Sequence, residues 1–272
     1  GLHIDVGQGF GQGTGGKVCG QVGFGGGDHS RCDRASARFH EPANQGSVAA
    51  SPQVIRFQGP MTDTDTLDAP ARPASDMPDG QALAALIAGK LCHDFISPAG
   101  AISSGLDLLK DPSAQDMRDD AMGLIEASAA KMVALVAFAR VAFGAATTSE
   151  TFSGGELGGI VDALTGGGRA SLVWKVPDQT WSKAQSRALV NLAYLTMAAL
   201  PSGGIATVSS RVEDDMVVFE GLAEGTRARL KPEAIAGLAG QPLTEGLQGQ
   251  WIQPYWLWLT AHDAGGKLTV QA

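Results

Sequence analysis

The chain has 272 residues, 44% of them hydrophobic and 18% charged, with a formal net charge of −8 at pH 7. That length holds one or two domains. The acidic balance excludes the concentrated Lys and Arg that non-specific binding to nucleic acid or to an anionic membrane requires. Cys19, Cys32 and Cys92 are too few and too scattered for a disulfide framework, which fits a reducing cytoplasm. No run of about 18 consecutive apolar residues is available to span a bilayer, and the N-terminus lacks the basic-then-apolar layout of a secretion signal.

The first sixty residues are glycine-rich and carry no sustained hydrophobic period, as in Gly7–Lys17 and Gly23–Gly27. Such a segment buries too little apolar surface to offset the entropy of ordering it. Residues 1–78 are therefore expected to form a disordered leader, with Met61 as the natural start and residues 1–60 taking no part in the fold. Gly11-Gln-Gly-Thr-Gly-Gly16 formally matches G-x-G-x-x-G, but no strand precedes it and no helix follows, so the phosphate-binding context is missing. Cys19, His29, Cys32 and His40 are zinc-ligand types without a C-x-x-C knuckle to organise them.

From Gly80 the pattern becomes helical. Leu83, Ile87, Leu91, Phe95, Pro98, Ile102, Leu106 and Leu109 recur every three or four residues. Asp111-Pro112 reads as an N-cap followed by proline at the first helical position. A second stripe follows in Met117, Ala121, Leu124, Ser128, Met132, Leu135, Phe138 and Ala142. The short connection makes the two helices antiparallel neighbours over residues 79–145. A lone pair of helices cannot bury both sides of its apolar faces, so a four-helix bundle formed by a homodimer is expected.

Beyond Gly144 the period changes. Ser171–Val176 reads as a strand, Lys183–Leu200 as a helix and Pro201–Gly204 as a turn. Ile205–Ser209 and Asp215–Glu220 alternate as paired strands, a helix covers Trp251–His262, and a last strand covers Lys267–Val270. The expected class is α+β: the helical hairpin, then an α/β sandwich of helices against a mostly antiparallel sheet over residues 150–272.

His93 lies two residues from both Leu91 and Phe95, so it points away from the first apolar stripe. Its own face carries Gly89, Ser97, Gly100 and Ser104, all small. Glycine inside a helix costs about 0.8–1 kcal/mol relative to alanine, and room for another protein's backbone around an exposed imidazole is a sufficient reason for two of them. A neutral histidine is a competent nucleophile, adjacent Asp94 is placed to orient its ring or take its proton, and Pro98 removes one backbone donor a turn further on. Ile96 and Gly100, with Gly89 and Ser97, form the candidate docking face. The second pair, His262-Asp263, sits at a helix C-terminus, where a cation is favoured by the dipole, and is assigned a structural role.

Leu91-Cys-His-Asp-Phe-Ile-Ser-Pro98 resembles the H-box of histidine kinase dimerisation domains. His93–Pro98, Gly105–Leu109, Asp111–Met122, Val141–Ala145, Arg227–Glu233 and Pro242–Leu247 together resemble the ChpT-type histidine phosphotransferases of alphaproteobacteria, from about Gln81 to the C-terminus. The resemblance implies a phosphorelay in which His93 takes a phosphoryl group from the receiver domain of a hybrid histidine kinase and passes it to response regulators. It points to the CckA kinase as donor and to CtrA and CpdR as acceptors in a cell-cycle relay.

The same resemblance makes residues 150–272 a kinase ATP-binding domain without its site. Ala188–Gly204 resembles the N-box helix, yet Leu195 stands where an asparagine would hold magnesium, and leucine offers a hard cation no oxygen. Glu220-Gly-Leu-Ala-Glu-Gly225 replaces the adenine-binding Asp-x-Gly-x-Gly, and Trp251 and Gln253 replace lid glycines. No ATP and no metal are therefore expected on this chain, Mg²⁺ being supplied by the partner receiver. The family continues into one more strand after Lys267–Val270, so an unpaired sheet edge is expected here. Two alternatives stand beside this reading: a true histidine kinase, and a dimeric scaffold for receiver domains that transfers nothing.

Overall fold

The computed structural model describes residues 51–60, 77–144 and 151–271. Its first element corrects the expectation of a leader outside the fold. Strand β1 (Gln53–Pro60) buries Gln53, Ile55, Phe57 and Gly59 while Val54, Arg56 and Gln58 stay half-buried. This two-residue alternation is a strand pattern, lying beyond the glycine-rich runs that set the average composition of the first sixty residues. Gly11–Gly16, Cys19, His29, Cys32, His40 and Met61 lie outside the described residues.

Helices α1 (Gly80–Lys110) and α2 (Arg118–Ala142) form the hairpin. Asp79 caps α1 by accepting the Ala82 amide at 2.8 Å. The helices are joined by a 3₁₀ turn, Pro112–Met117, which Asp111 opens by accepting the Ser113 amide at 2.8 Å. Residue 105 faces residues 121 and 125, whereas Asp94, Ser97, Pro98 and Ala101 share a groove with Ala127, Ser128, Lys131 and Leu135; the two helices are antiparallel. A Cβ on Gly105 would lie 2.6 Å from Ile125 Cγ1, so glycine there sets the close approach of the helices. The other faces keep apolar side chains in the open: Ile96 is 72% and Val133 71% exposed, with Val136, Leu124 and Met122 beside them in kind. Among the described residues one helical span, Pro112–Ala142, which contains α2, is by length and average composition apolar enough to cross a bilayer, although it holds no run of about 18 consecutive apolar residues. The cause is its alanine content, which raises the average although Glu126 and Lys131 interrupt any continuous run.

The remaining elements are α3 (Gly154–Thr165), β3 (Ala170–Lys175), α4 (Lys183–Ala198), β5 (Gly204–Glu213), β6 (Met216–Glu224), α5 (Pro232–Leu238), α6 (Gln248–Asp263) and β7 (Lys267–Gln271). A short pair, β2 (Phe152–Ser153) and β4 (Thr180–Trp181), makes a second sheet. Ser153 with Glu156, and Ser182 with Gln185, close capping boxes on α3 and α4. Positive φ at Asp214 and Asp215 turns β5 tightly into β6. The fold thus mixes six α-helices and two sheets among the described residues.

The main sheet runs β3-β5-β6-β1-β7, with only β3 and β5 parallel. Strand β1 is antiparallel to both β6 and β7, so β7 joins the sheet only through it. A strand that precedes the hairpin, β1, fills the place beside β6, and β7 stands at the edge of the sheet, paired on one side only, as the edge expected at Lys267–Val270 requires. Inside, Ile55, Phe57, Leu157, Leu189, Leu192, Val208, Phe219 and Leu257 form one continuous core. Phe57 stacks on Phe219 at 5.6 Å, and Trp181 meets the same ring edge-on at 5.3 Å.

Candidate functional site

The site begins with one turn of α1. His93 is the most open side chain of its group, 88% exposed, whereas Asp94 beside it is 27% exposed. The carboxylate Oδ1 of Asp94 lies 3.3 Å from His93 Nδ1. Its Oδ2 accepts from the Lys90 ammonium at 2.8 Å, one helical turn back. Lys90, 9% exposed, lies in turn over the Tyr194 ring of α4, 5.6 Å from its centroid. Pro98 is buried within α1 and has no N–H to donate to the Asp94 carbonyl, yet the helix continues unbroken to Lys110.

These residues border a groove of about 500 Å³. His93, Asp94, Ser97 and Pro98 form its α1 wall, and Ser128 and Lys131 its α2 wall. Tyr194 stands at one end, beside Leu164 of α3. Lys131 Nζ donates to the Leu164 carbonyl and so ties α2 to the end of α3. Gly89, Ser97 and Gly100 are exposed around His93, and a Cβ at either glycine would meet nothing within 4 Å. The four small or apolar candidates Gly89, Ile96, Ser97 and Gly100 therefore surround an accessible imidazole, although only Ser97 lines the groove itself.

The sequence reading did not find Lys90 and Tyr194. Lys90 and Asp94 are i and i+4 on a helix, a legible ion-pair spacing. The Tyr194 contact joins residues about a hundred positions apart and becomes visible only in the fold.

The end of α2 is bolted to the second half of the molecule. The Ala142 carbonyl accepts from Asn191 Nδ2 at 2.9 Å and from Trp256 Nε1 at 2.7 Å. Asn191 is fully buried, and its oxygen accepts from Gln253 Nε2 at 3.1 Å. Arg187 stacks on Trp256, and burial lowers its pKa, partly offset by Asp263. Leu195 and Trp251, expected in place of kinase nucleotide motifs, are packing residues here. Leu195 is buried, Trp251 stacks on Tyr255 with centroids 4.5 Å apart, and the Trp251 indole donates to the Gln241 carbonyl at 2.9 Å. His262 stacks on Trp258 at 5.1 Å, at the far end of α6.

An exposed histidine stands on a two-helix hairpin fixed to a sheet-bearing half, and by its similarity to known proteins the chain belongs to the histidine phosphotransferase family. Residues 154–272 match the family described as histidine phosphotransferase C-terminal domain. The protein phosphotransferase ChpT of Brucella abortus (strain 2308) is 31% identical over 191 residues, which cover 70% of this chain and 90% of that protein. A solved structure described as a bacterial phosphotransferase is similar with a TM-score of 0.62 and 30% identity, again over 70% of this chain and 90% of the other. Membership places the chain in histidine phosphotransfer within a phosphorelay, with receiver domains or response regulators as its partners.

Proposed function

We propose that His93 is the phosphoryl carrier and that Asp94 is its auxiliary group. The observation that carries this reading is the 88% exposed imidazole in the H-box, with a carboxylate oxygen 3.3 Å from one ring nitrogen. A docked receiver brings an aspartyl phosphate to the other nitrogen, Nε2. The Nε2–P bond forms as the aspartyl O–P bond breaks, and the leaving carboxylate keeps the electron pair. The Nδ1 proton stays on the ring, where Asp94 stabilises the positive charge that phosphorylation creates. The reverse sequence on a second receiver returns His93 to its starting state.

Positioning and charge neutralisation supply most of the acceleration in such transfers. Mg²⁺ comes with the receiver, and this chain uses neither ATP nor a metal of its own. Two copies pair through the uncovered apolar faces of α1 and α2 to make a four-helix bundle, and the sheet-bearing half keeps the shape of an ATP-binding domain for docking receivers. In the cell the protein acts in the cytoplasm, between a CckA-type hybrid kinase and CtrA- and CpdR-type regulators.

The direct test is mass-spectrometric mapping after incubation with a phosphorylated receiver. An acid-labile phosphoryl group on the peptide containing His93 supports the assignment, whereas a modification on any other residue refutes it. Incubation with ATP and Mg²⁺ alone should leave the same peptide unmodified.

A further inference from the structure

We propose that Lys90 is a positioning residue which, held from the sheet-bearing half by Tyr194, fixes Asp94 and through it the tautomer of His93. The inference rests on the reading of His93 as phosphoacceptor and names how the fold prepares that residue. An ionised carboxylate only accepts hydrogen bonds, so contact between Asp94 Oδ1 and His93 Nδ1 places the proton on Nδ1. The lone pair is then on Nε2, the outer nitrogen, where an incoming phosphorus atom meets it.

By itself Asp94 is a weak clamp, because its side chain neighbours that of His93 at i+1, where helical residues do not face one another. The second oxygen is what holds it. Lys90 binds Oδ2 at 2.8 Å, and the pair leaves Oδ1 directed to the ring. Lys90 is itself 9% exposed and lies 5.6 Å from the centroid of Tyr194, whose ring also packs on Phe138 of α2 at 5.2 Å. A chain of contacts therefore runs Tyr194–Lys90–Asp94–His93, from a half-buried ring packed against the core of the sheet-bearing half to the exposed imidazole. Lys90 also neutralises Asp94, which would otherwise repel the anionic phosphoryl group as it approaches. This gives the retained domain a second use beside docking: it orients the nucleophile on the hairpin.

The test compares wild type with Lys90→Met, Lys90→Arg, Tyr194→Phe and Tyr194→Leu in the full chain. Nitrogen-15 NMR of the His93 ring reads the tautomer without any partner. Transfer from a phosphorylated receiver, measured across receiver concentrations, separates binding from the chemical step. Wild type should be mainly the Nδ1–H form. Lys90→Met should become a mixture and lose on the order of tenfold in the saturated rate, the scale on which outer partners of a reactive imidazole act, with unchanged half-saturation. Lys90→Arg should recover most of both readouts, Tyr194→Phe should match wild type, and Tyr194→Leu should follow Lys90→Met. A Lys90→Met protein with wild-type tautomer and wild-type rate overturns the inference. If wild type accepts no phosphoryl group at all, the phosphoacceptor reading fails instead, and the NMR arm still decides the role of Lys90.

Discussion

Replacing Phe57 with alanine tests whether the strand before the hairpin belongs to the working fold. Phe57 is 3% exposed and stacks on Phe219, itself fully buried beside Trp181. Truncating a buried phenylalanine costs about 3–5 kcal/mol, the lost aromatic contact included. Net stabilities of whole domains are only about 5–15 kcal/mol, so the variant should fall well down the unfolding curve. With a urea dependence of about 2 kcal/mol per molar, the midpoint should drop by about 2 M. All five tryptophans, Trp174, Trp181, Trp251, Trp256 and Trp258, lie in the sheet-bearing half, so their fluorescence reports its unfolding. Arg56→Ala on the opposite face is the control, since its partly exposed ion pair with Glu213 is screened by solvent and contributes little to stability. Equal midpoints for the two variants would refute the placement of β1 between β6 and β7.

Three further outcomes follow from named contacts. Asn191→Leu leaves the buried amide of Gln253 without its acceptor and should cost about 1–3 kcal/mol, read by calorimetry; an unchanged melting temperature would remove Asn191 from the joint between hairpin and sheet. Asp178 accepts the Gly155 amide at 2.9 Å at the start of α3, and that bond, then the Ser153 hydroxyl, hold its pKa below the ordinary 3.8. A depressed carboxyl contributes stability that is full above its unfolded pKa and is lost as pH falls through the folded one. The gap in melting temperature between wild type and Asp178→Ala should therefore be constant near neutrality and narrow below about pH 4; a gap that widens in acid would reverse the sign and sink the argument. Ile96→Asp, at a 72% exposed position, should leave the melt unchanged and slow transfer from a receiver by about tenfold, as loss of an interface anchor does; unchanged transfer kinetics would remove Ile96 from the docking face.

How much of this was legible in the sequence depended on the range of the physical signal. The hairpin was, because apolar spacing and the Asp111-Pro112 cap are local; α1, α2, α4, α6, β3, β5, β6 and β7 all fall where periodicity placed them. His93 stood out because the residues sharing its face are small, and the structure leaves open space above Gly89 and Gly100. Strand β1 was lost for a different reason. Its eight residues follow a glycine-rich stretch that dominates residues 1–60 only when these are averaged together, and its partners in β6 and β7 lie more than 150 positions away. The short helix α5, and α3 with four glycines within its twelve residues, are held largely by packing and capping, which periodicity does not register. Of the contacts around His93, the Lys90–Asp94 pair was readable and the Tyr194 contact was not.

The central claim is that a phosphoryl group passes through His93, and a relay assay tests it most directly. A phosphorylated donor receiver is mixed with an acceptor receiver and either wild-type protein or His93→Ala. The replacement removes an exposed side chain, so it should change stability by no more than about 0.5 kcal/mol. The account predicts label on wild type and then on the acceptor, and label on neither with His93→Ala. Label reaching the acceptor equally well through His93→Ala would contradict it.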